Sequence, residues 1–369
     1  MNNQTNSFPI GTQILGRVLN AKGEPIDKKG SLDAQHAPLY NPTLEIVGIE
    51  ANKGKTPGNQ ILETGIKVID LLAPLPRGGV IGMFGNAGTG KLVVTEELMH
   101  NLINKHNGYV ICLSMGESTY KVGELMDLIR EGELEDKVVM IFEQLKASPE
   151  IRERMIWAGL TIAEHSQQQG YKTLLVLDKQ MAAIEGQARI QIGAMRRMLE
   201  EKEITAILLG TEEDSRLFQV GDMPGDLDGQ IVLTRNIADQ SLWPAVDRLL
   251  SNSRLLTNEV AGFEHAQLAL QVREILRQYA DLETLERQEL SGADAQALRR
   301  AQRIQKFFTQ PFFVAEAYTD IPGEYVKVEE TVRGFKELLA GRYDDLPEQA
   351  FYFVGGIDEA VAKGNTSLL

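Results

Sequence analysis

The stretch Gly79-Val-Ile-Gly-Met-Phe-Gly-Asn-Ala-Gly-Thr-Gly-Lys91 constrains the fold of this chain more than any other. Its residues 80–84 are an apolar run of the kind expected for a strand covered on both faces. The run leads into Gly85, Asn86, Ala87, Gly88, Thr89, Gly90 and Lys91, which fit the spacing G-x-x-x-x-G-K. A helical stripe follows, with Val94, Leu98 and Leu102 on one face beside Met99 and Ile103. Strand, glycine-rich turn and helix in that order predict a loop whose backbone N–H groups turn inward around an anion. The helix start adds partial positive charge, and Lys91 is placed to reach terminal phosphates. The bland alternative is a glycine-rich turn with an incidental lysine.

The residue after the lysine breaks the pattern. A phosphate loop uses Ser or Thr there, because the hydroxyl ligates a Mg²⁺ that bridges the terminal phosphates. Leu92 has no oxygen. Nucleotide contact through residues 85–91 is expected to survive this loss, while Mg²⁺ placement is expected to suffer. Two acids follow. Glu117 stands just after the apolar run 109–114, where a carboxylate can polarise a water opposite the terminal phosphate. Asp178 ends the run 174–177, the usual place for an acid that holds Mg²⁺ through water. Each also reads, taken alone, as a solvated carboxylate at a strand end.

Short apolar runs at 80–84, 109–113, 138–142, 174–177, 206–209 and 231–233 alternate with helical patterns at 92–106 and 151–169. That alternation predicts an α/β core with a mostly parallel sheet. Residues 8–76 carry turn signals and few helical periods, so they read as loops and short strands. From about residue 260 the chain turns helical, with patterns at 266–282, 293–308, 331–339 and 348–362 and helix stops expected at Gly341 and Gly364. Three parts are therefore expected: 1–60 as a lead-in, 61–258 as the phosphate-loop domain and 259–369 as a helical domain.

Composition removes several function classes. A net charge of −14 opposes a partner that is mainly a phosphate backbone, though a local pocket for one nucleotide remains allowed. The single cysteine, Cys112, sits in Tyr109-Val-Ile-Cys-Leu-Ser114 and reads as a small buried hydrophobe. His36, His100, His106, His165 and His265 are scattered and make no zinc pattern. The polar opening Met1-Asn-Asn-Gln-Thr-Asn-Ser7 lacks a secretory pattern, and no stretch approaches the roughly 20 apolar residues of a membrane span. A cytoplasmic protein is expected, touching a membrane only through a complex.

Together these residues resemble the β subunits of F-type rotary ATPases, the ATP synthase family. The likeness extends from Gly16-Arg-Val-Leu-Asn-Ala-Lys-Gly-Glu-Pro-Ile-Asp27 to Val361, with Thr64-Gly-Ile-Lys-Val-Ile-Asp-Leu-Leu-Ala-Pro74, Trp243-Pro-Ala-Val-Asp247 and Leu346-Pro-Glu-Gln-Ala-Phe-Tyr352 as its most specific stretches. It implies a RecA-like phosphate-loop core, a C-terminal α-helical domain and an N-terminal β-barrel, most of which is expected to be missing here. By position it implies that Lys91 binds phosphate and that Glu117 in Met115-Gly-Glu-Ser118 is the catalytic glutamate. It also makes Asp178 the acid of the second signature strand. Trp243 would stack on adenine, with Phe312, Ala315 and Tyr318 completing that pocket. From the residues alone, Phe312, Phe313 and Tyr318 read more readily as core.

The departures from that family fall in the chemistry. The family has Thr at Leu92, Arg at Ser118, Glu at Lys121 and Arg at Ala182. Its acidic rotor-contact loop stands here as Gln288-Glu-Leu-Ser-Gly-Ala-Asp294, with three acids replaced by neutral residues. The segment 210–230 is shorter than its family counterpart. Losing charge-stabilising arginines from a phosphoryl-transfer site costs on the order of 10³–10⁵ in rate. The expectation is an ATP- or ADP-binding subunit, with doubtful Mg²⁺ and weak or absent turnover. Its implied partners are an α-like subunit that supplies an arginine finger and a central rotor or stalk. Three alternatives stand beside it: a working ATPase or synthase subunit, a scaffold with an empty pocket and a RecA-like motor on nucleic acid.

Overall fold

The computed structural model describes residues 6–39, 60–116, 129–130, 133–144, 147–178, 196, 199–221, 226–283 and 292–367. The first part carries β1 (Ser7–Ile10), β2 (Val18–Leu19), β3 (Gln35–Pro38) and β4 (Ile61–Leu62). Then come α1 (Lys67–Leu72), β5 (Leu75–Pro76), β6 (Gly79–Gly85), α2 (Lys91–His106), β7 (Gly108–Gly116), β8 (Val138–Gln144), α3 (Pro149–Gln168) and β9 (Lys172–Asp178). The domain closes with β10 (Thr205–Gly210), β11 (Gly229–Leu233), α4 (Arg235–Asp239) and β12 (Asn252–Ser253). The helical end contains α5 (Phe263–Glu283), α6 (Gly292–Phe307), α7 (Glu316–Thr319), α8 (Val328–Leu339) and α9 (Ile357–Ser367).

Eight strands form the central sheet, in the order β12-β11-β6-β10-β9-β7-β8-β2. Every neighbouring pair is parallel except β11 with β12. Each apolar run of the sequence is a strand of this sheet, because both of its faces are covered. Alternate side chains serve opposite layers. Ile81, Met83, Val110, Cys112, Val138 and Met140 pack with Val94, Leu98 and Leu102 of α2. Val80, Phe84, Ile111, Leu113, Val139 and Ile141 pack with Met155, Leu160 and Ile162 of α3. Cys112 is part of that packing, and burial pushes its thiol up to about 12. This is the α/β, RecA-like core with a C-terminal helical region that the sequence predicts.

The lead-in is more integrated than loops and short strands suggest. β1 and β3 form an antiparallel pair, but β2 adds to the edge of the central sheet beside β8. Arg17 fixes that edge through two hydrogen bonds to Asp27, and Gly16 N–H donates to the carbonyl of Val138. No closed barrel forms among the described residues. No helix among the described residues is long and apolar enough to cross a membrane.

Two helical expectations need correction. The pattern over 348–362 is not one helix: a 3₁₀ turn spans Glu348–Phe351, and α9 begins only at Ile357. Gly364 is no helix stop but lies inside α9, where its bare Cα faces Leu346 and Ala350; a Cβ there would fall 3.1 Å from Leu346. Gly341 does follow α8, in a left-handed conformation with φ 73°.

The break between 351 and 357 contains Gly355-Gly356, a local turn signal, and is held by a tertiary contact. Lys67, fully buried on α1, sends its ammonium to the carbonyls of Val354 and Gly355 at 2.6 and 2.8 Å. The same ammonium lies 4.2 Å from the centre of the Phe307 ring. Gln310 accepts from Lys67 N–H at 2.9 Å and donates to Gly65 O and Glu324 O. The stretch Thr64–Asp70 thus fastens the helical end to the sheet domain.

Candidate functional site

The phosphate loop lies at the carboxyl end of β6, on the edge where parallel α/β sheets bind ligands. Gly88 and Gly90 hold φ of 80° and 76°, a region that an L side chain enters only at a cost. Thr89 is buried, and its hydroxyl donates to Asn86 O at 2.8 Å, which closes the turn from within. Helix α2 starts at Lys91 with no side chain capping it and no acid in its first turn. Its first N–H groups are therefore left for an anion. The Lys91 ammonium donates to Gly85 O at 2.9 Å and to Gly210 O at 2.5 Å, linking the end of β6 to the end of β10.

The rim comes from the neighbouring strand ends. Asn86 accepts from Glu212 N–H at 3.3 Å and donates to Glu213 at 3.4 Å, so the loop leans on the turn after β10. Asp214 caps that turn by accepting from Thr211 N–H and Oγ1. On the other side, β11 aligns Leu233 with Gly85. The chain beyond β11 brings Arg235 against Gly88 and Trp243 against Gly90. A Cβ on Gly88 would fall 2.4 Å from Arg235 Nη1, and one on Gly90 would fall 2.9 Å from the Trp243 ring.

Leu92 is 52% exposed beside the loop, so no packing demand explains an apolar residue there. Asp178 ends β9 as expected, half-buried and in register with Leu209 of β10. Glu117, Ser118, Lys121 and Ala182 lie outside the described residues, as does most of the 288–294 loop. No group of three or more His, Cys, Asp or Glu side chains suited to a metal ion occurs among the described residues. Leu92 offers no oxygen where a phosphate loop places its Mg²⁺ ligand.

Of the four residues expected around adenine, Trp243 lies half-buried against Gly90 of the loop. Its carbonyl accepts from Gln310 N–H at 3.2 Å, which ties it to the segment carrying the others. The Phe312 side chain is only 6% exposed and joins the apolar cluster, as the residues alone suggested. Ala315 packs partly against the same cluster, whereas Tyr318, which the residues alone read as core, is 76% exposed on the short helix α7. Sequence reasoning missed two site residues. Arg235 gave no local signal, because its place over Gly88 follows from β11 lying beside β6. Glu97 follows Glu96 on α2 and faces Asn101 one turn on, so no local signal marked it for burial. It is fully buried, and burial pushes its carboxyl up to about 7.

A parallel sheet, a glycine loop at its carboxyl edge and a lysine opening the next helix define a phosphate-loop nucleotide-binding domain. Within that class, residues 65–211 match the family model described as ATP synthase alpha/beta family, nucleotide-binding domain. The match runs from the Thr64–Asp70 joint, through the phosphate loop, to the turn after β10. Residues 65–211 are thus similar to the nucleotide-binding domain of that family.

Proposed function

We propose that this chain is a β-like subunit of a rotary-ATPase-like assembly that binds ATP or ADP and turns it over weakly or not at all. The observation that carries this reading is the contrast between a formed phosphate loop and Leu92. The glycine turn, the uncapped start of α2 and the Lys91 ammonium supply what a polyphosphate needs. The position that should offer a Mg²⁺ ligand is a solvent-facing leucine. Binding and turnover therefore separate: Lys91 and the loop amides hold the phosphates, while Leu92 supplies no hydroxyl to a metal ion. Ser118 and Ala182, where the resembling family has arginines, fit the same loss.

The partner in this reading is an α-like subunit whose arginine finger completes the site, with a central rotor or stalk as a second contact. The chain would meet a membrane only through that complex. Calorimetric titration of ATP and ADP, with and without Mg²⁺, tests the binding half. Phosphate release by the purified chain and its assembly tests the turnover half. Binding that persists in a chelator, with negligible release, is the expected result. Robust Mg²⁺-dependent hydrolysis that Lys91→Ala abolishes would establish a working ATPase instead.

A further inference from the structure

We propose that Arg235 is a second phosphate-binding cation of this site, and that with Lys91 it fits the loop to a nucleoside di- or triphosphate free of metal. The inference rests on the nucleotide-binding reading above. Its basis is placement. β11 runs parallel to β6, with Leu233 opposite Gly85, so the residues just past β11 emerge beside the glycine turn. Asp247 N–H donates to Val232 O and Thr234 N–H donates to Ala245 O, which hold this crossing in place. Arg235 lies so close that a Cβ on Gly88 would be 2.4 Å from its Nη1. The guanidinium therefore rests on the loop at a residue with no side chain to interfere.

The ion pair that Arg235 makes with Asp239 does not explain that position. Arg235 Nε is 3.8 Å from Asp239 Oδ1, near the limit of a salt bridge, with side chains 67% and 72% exposed. An exposed pair of this kind holds a side chain only weakly. An arginine fork laid beside a ring of backbone N–H groups instead suits a phosphate, which it binds through two parallel hydrogen bonds. The charge argument agrees. A polyphosphate normally arrives with Mg²⁺ neutralising part of its charge. At Leu92 that ion loses its protein ligand, and the Arg235 guanidinium supplies compensating positive charge beside Gly88.

The test is calorimetric titration of adenosine, ADP and ATP in a chelating buffer, using the full-length wild type, Arg235→Ala and Arg235→Lys. Loss of a charge-assisted contact predicts weaker ATP binding by Arg235→Ala of about tenfold or more. Adenosine binding should be unchanged, and Arg235→Lys should recover part of the loss, since it keeps charge without the fork. Matching thermal melts confirm that the exposed substitution leaves the fold intact. Equal ATP affinity in wild type and Arg235→Ala overturns the inference and leaves nucleotide binding standing. Wild type that binds ATP only with Mg²⁺ overturns it in the same way. Wild type that binds no nucleotide in either buffer overturns the underlying reading as well.

Discussion

The Glu97 carboxylate on α2 accepts a hydrogen bond from the backbone N–H of Val314 at 3.2 Å. Helix α2 begins at Lys91 of the phosphate loop, and Val314 lies in the 3₁₀ turn Phe313–Ala315, just after Phe312. One buried acid thus couples the phosphate end of the site to the segment expected near adenine. Asn101 Nδ2 donates to the same carboxylate at 3.3 Å and to Thr64 O at 3.1 Å, which extends the link to the joint with the helical end.

That link should be visible in stability against pH. Burial raises the Glu97 carboxyl from 4.5 to about 7 in the folded chain, against the hydrogen bonds from Val314, Phe313 and Asn101. The folded state then holds a proton that the unfolded state releases. The stabilisation is full below the unfolded value and is lost as pH rises from there through about 7. A shift of that size corresponds to roughly 3 kcal/mol. Urea unfolding across about pH 4.5 to 7.5 should show stability falling in wild type and falling less in Glu97→Gln. Asp70, also raised to about 7 by burial, adds a slope of the same sign that both proteins share. Parallel slopes in the two would remove Glu97 from the account.

The Lys67 joint should be among the most sensitive points of the fold. Burial holds its ammonium well below the ordinary lysine value, opposed by the nearby Glu359 and Glu324. Lys67→Met keeps the stem over Phe307 but leaves the Val354 and Gly355 carbonyls without their donor. Orphaning buried acceptors predicts a loss of about 2–4 kcal/mol. Urea unfolding measures the loss, and hydrogen exchange should show α9 opening first.

The same residue shows what could be read from the chain alone. The Val/Ile/Leu runs marked the six internal strands because burial on both faces leaves a continuous apolar record. β2 escaped because Val18 and Leu19 are too few to show a period. The helix expected over 348–362 breaks at Gly355-Gly356, a local turn signal, and Lys67, far away in sequence, takes up the carbonyls of Val354 and Gly355 that the break leaves open. Residues 85–91 were legible because loop, strand and helix are contiguous. Arg235 was not, because its neighbour Gly88 is joined to it only through the order of strands in the sheet. Thr64-Gly-Ile-Lys-Val-Ile-Asp70 stood out as a family signature, and the structure gives it a mechanical role: Asp70 accepts from Thr64 N–H, Thr64 Oγ1 and Gly65 N–H at 2.8–2.9 Å.

Gly90 should tolerate no side chain. A methyl group there meets the Trp243 ring at 2.9 Å while the backbone is held at φ 76°. The left-handed conformation alone costs about 1–2 kcal/mol in a residue other than glycine. Gly90→Ala is expected to displace Trp243 and to weaken ATP binding by at least about tenfold, more than stability loss explains. Trp243 emission in a Trp157→Phe background, followed beside ATP titrations, reads both effects. Unchanged emission together with wild-type affinity would show that neither the loop nor the tryptophan takes part in binding.

Leu92→Thr restores the missing hydroxyl at a position whose surroundings permit it. The side chain is 52% exposed at the start of α2, so the exchange should alter stability by no more than about 0.5 kcal/mol. A hydroxyl at that point can ligate a Mg²⁺ held between the terminal phosphates. ATP affinity measured with Mg²⁺ relative to chelator should therefore rise in the variant, by about tenfold on the scale of a gained metal ligand. Turnover should stay low in Leu92→Thr alone and rise when Ser118→Arg is added, because the hydroxyl places the ion and the guanidinium stabilises transferred charge. Phosphate release by the single and double variants, each in the full assembly, separates the two contributions. A double variant as slow as wild type, despite restored Mg²⁺ dependence, would place the block at Ala182 or at the partner's arginine.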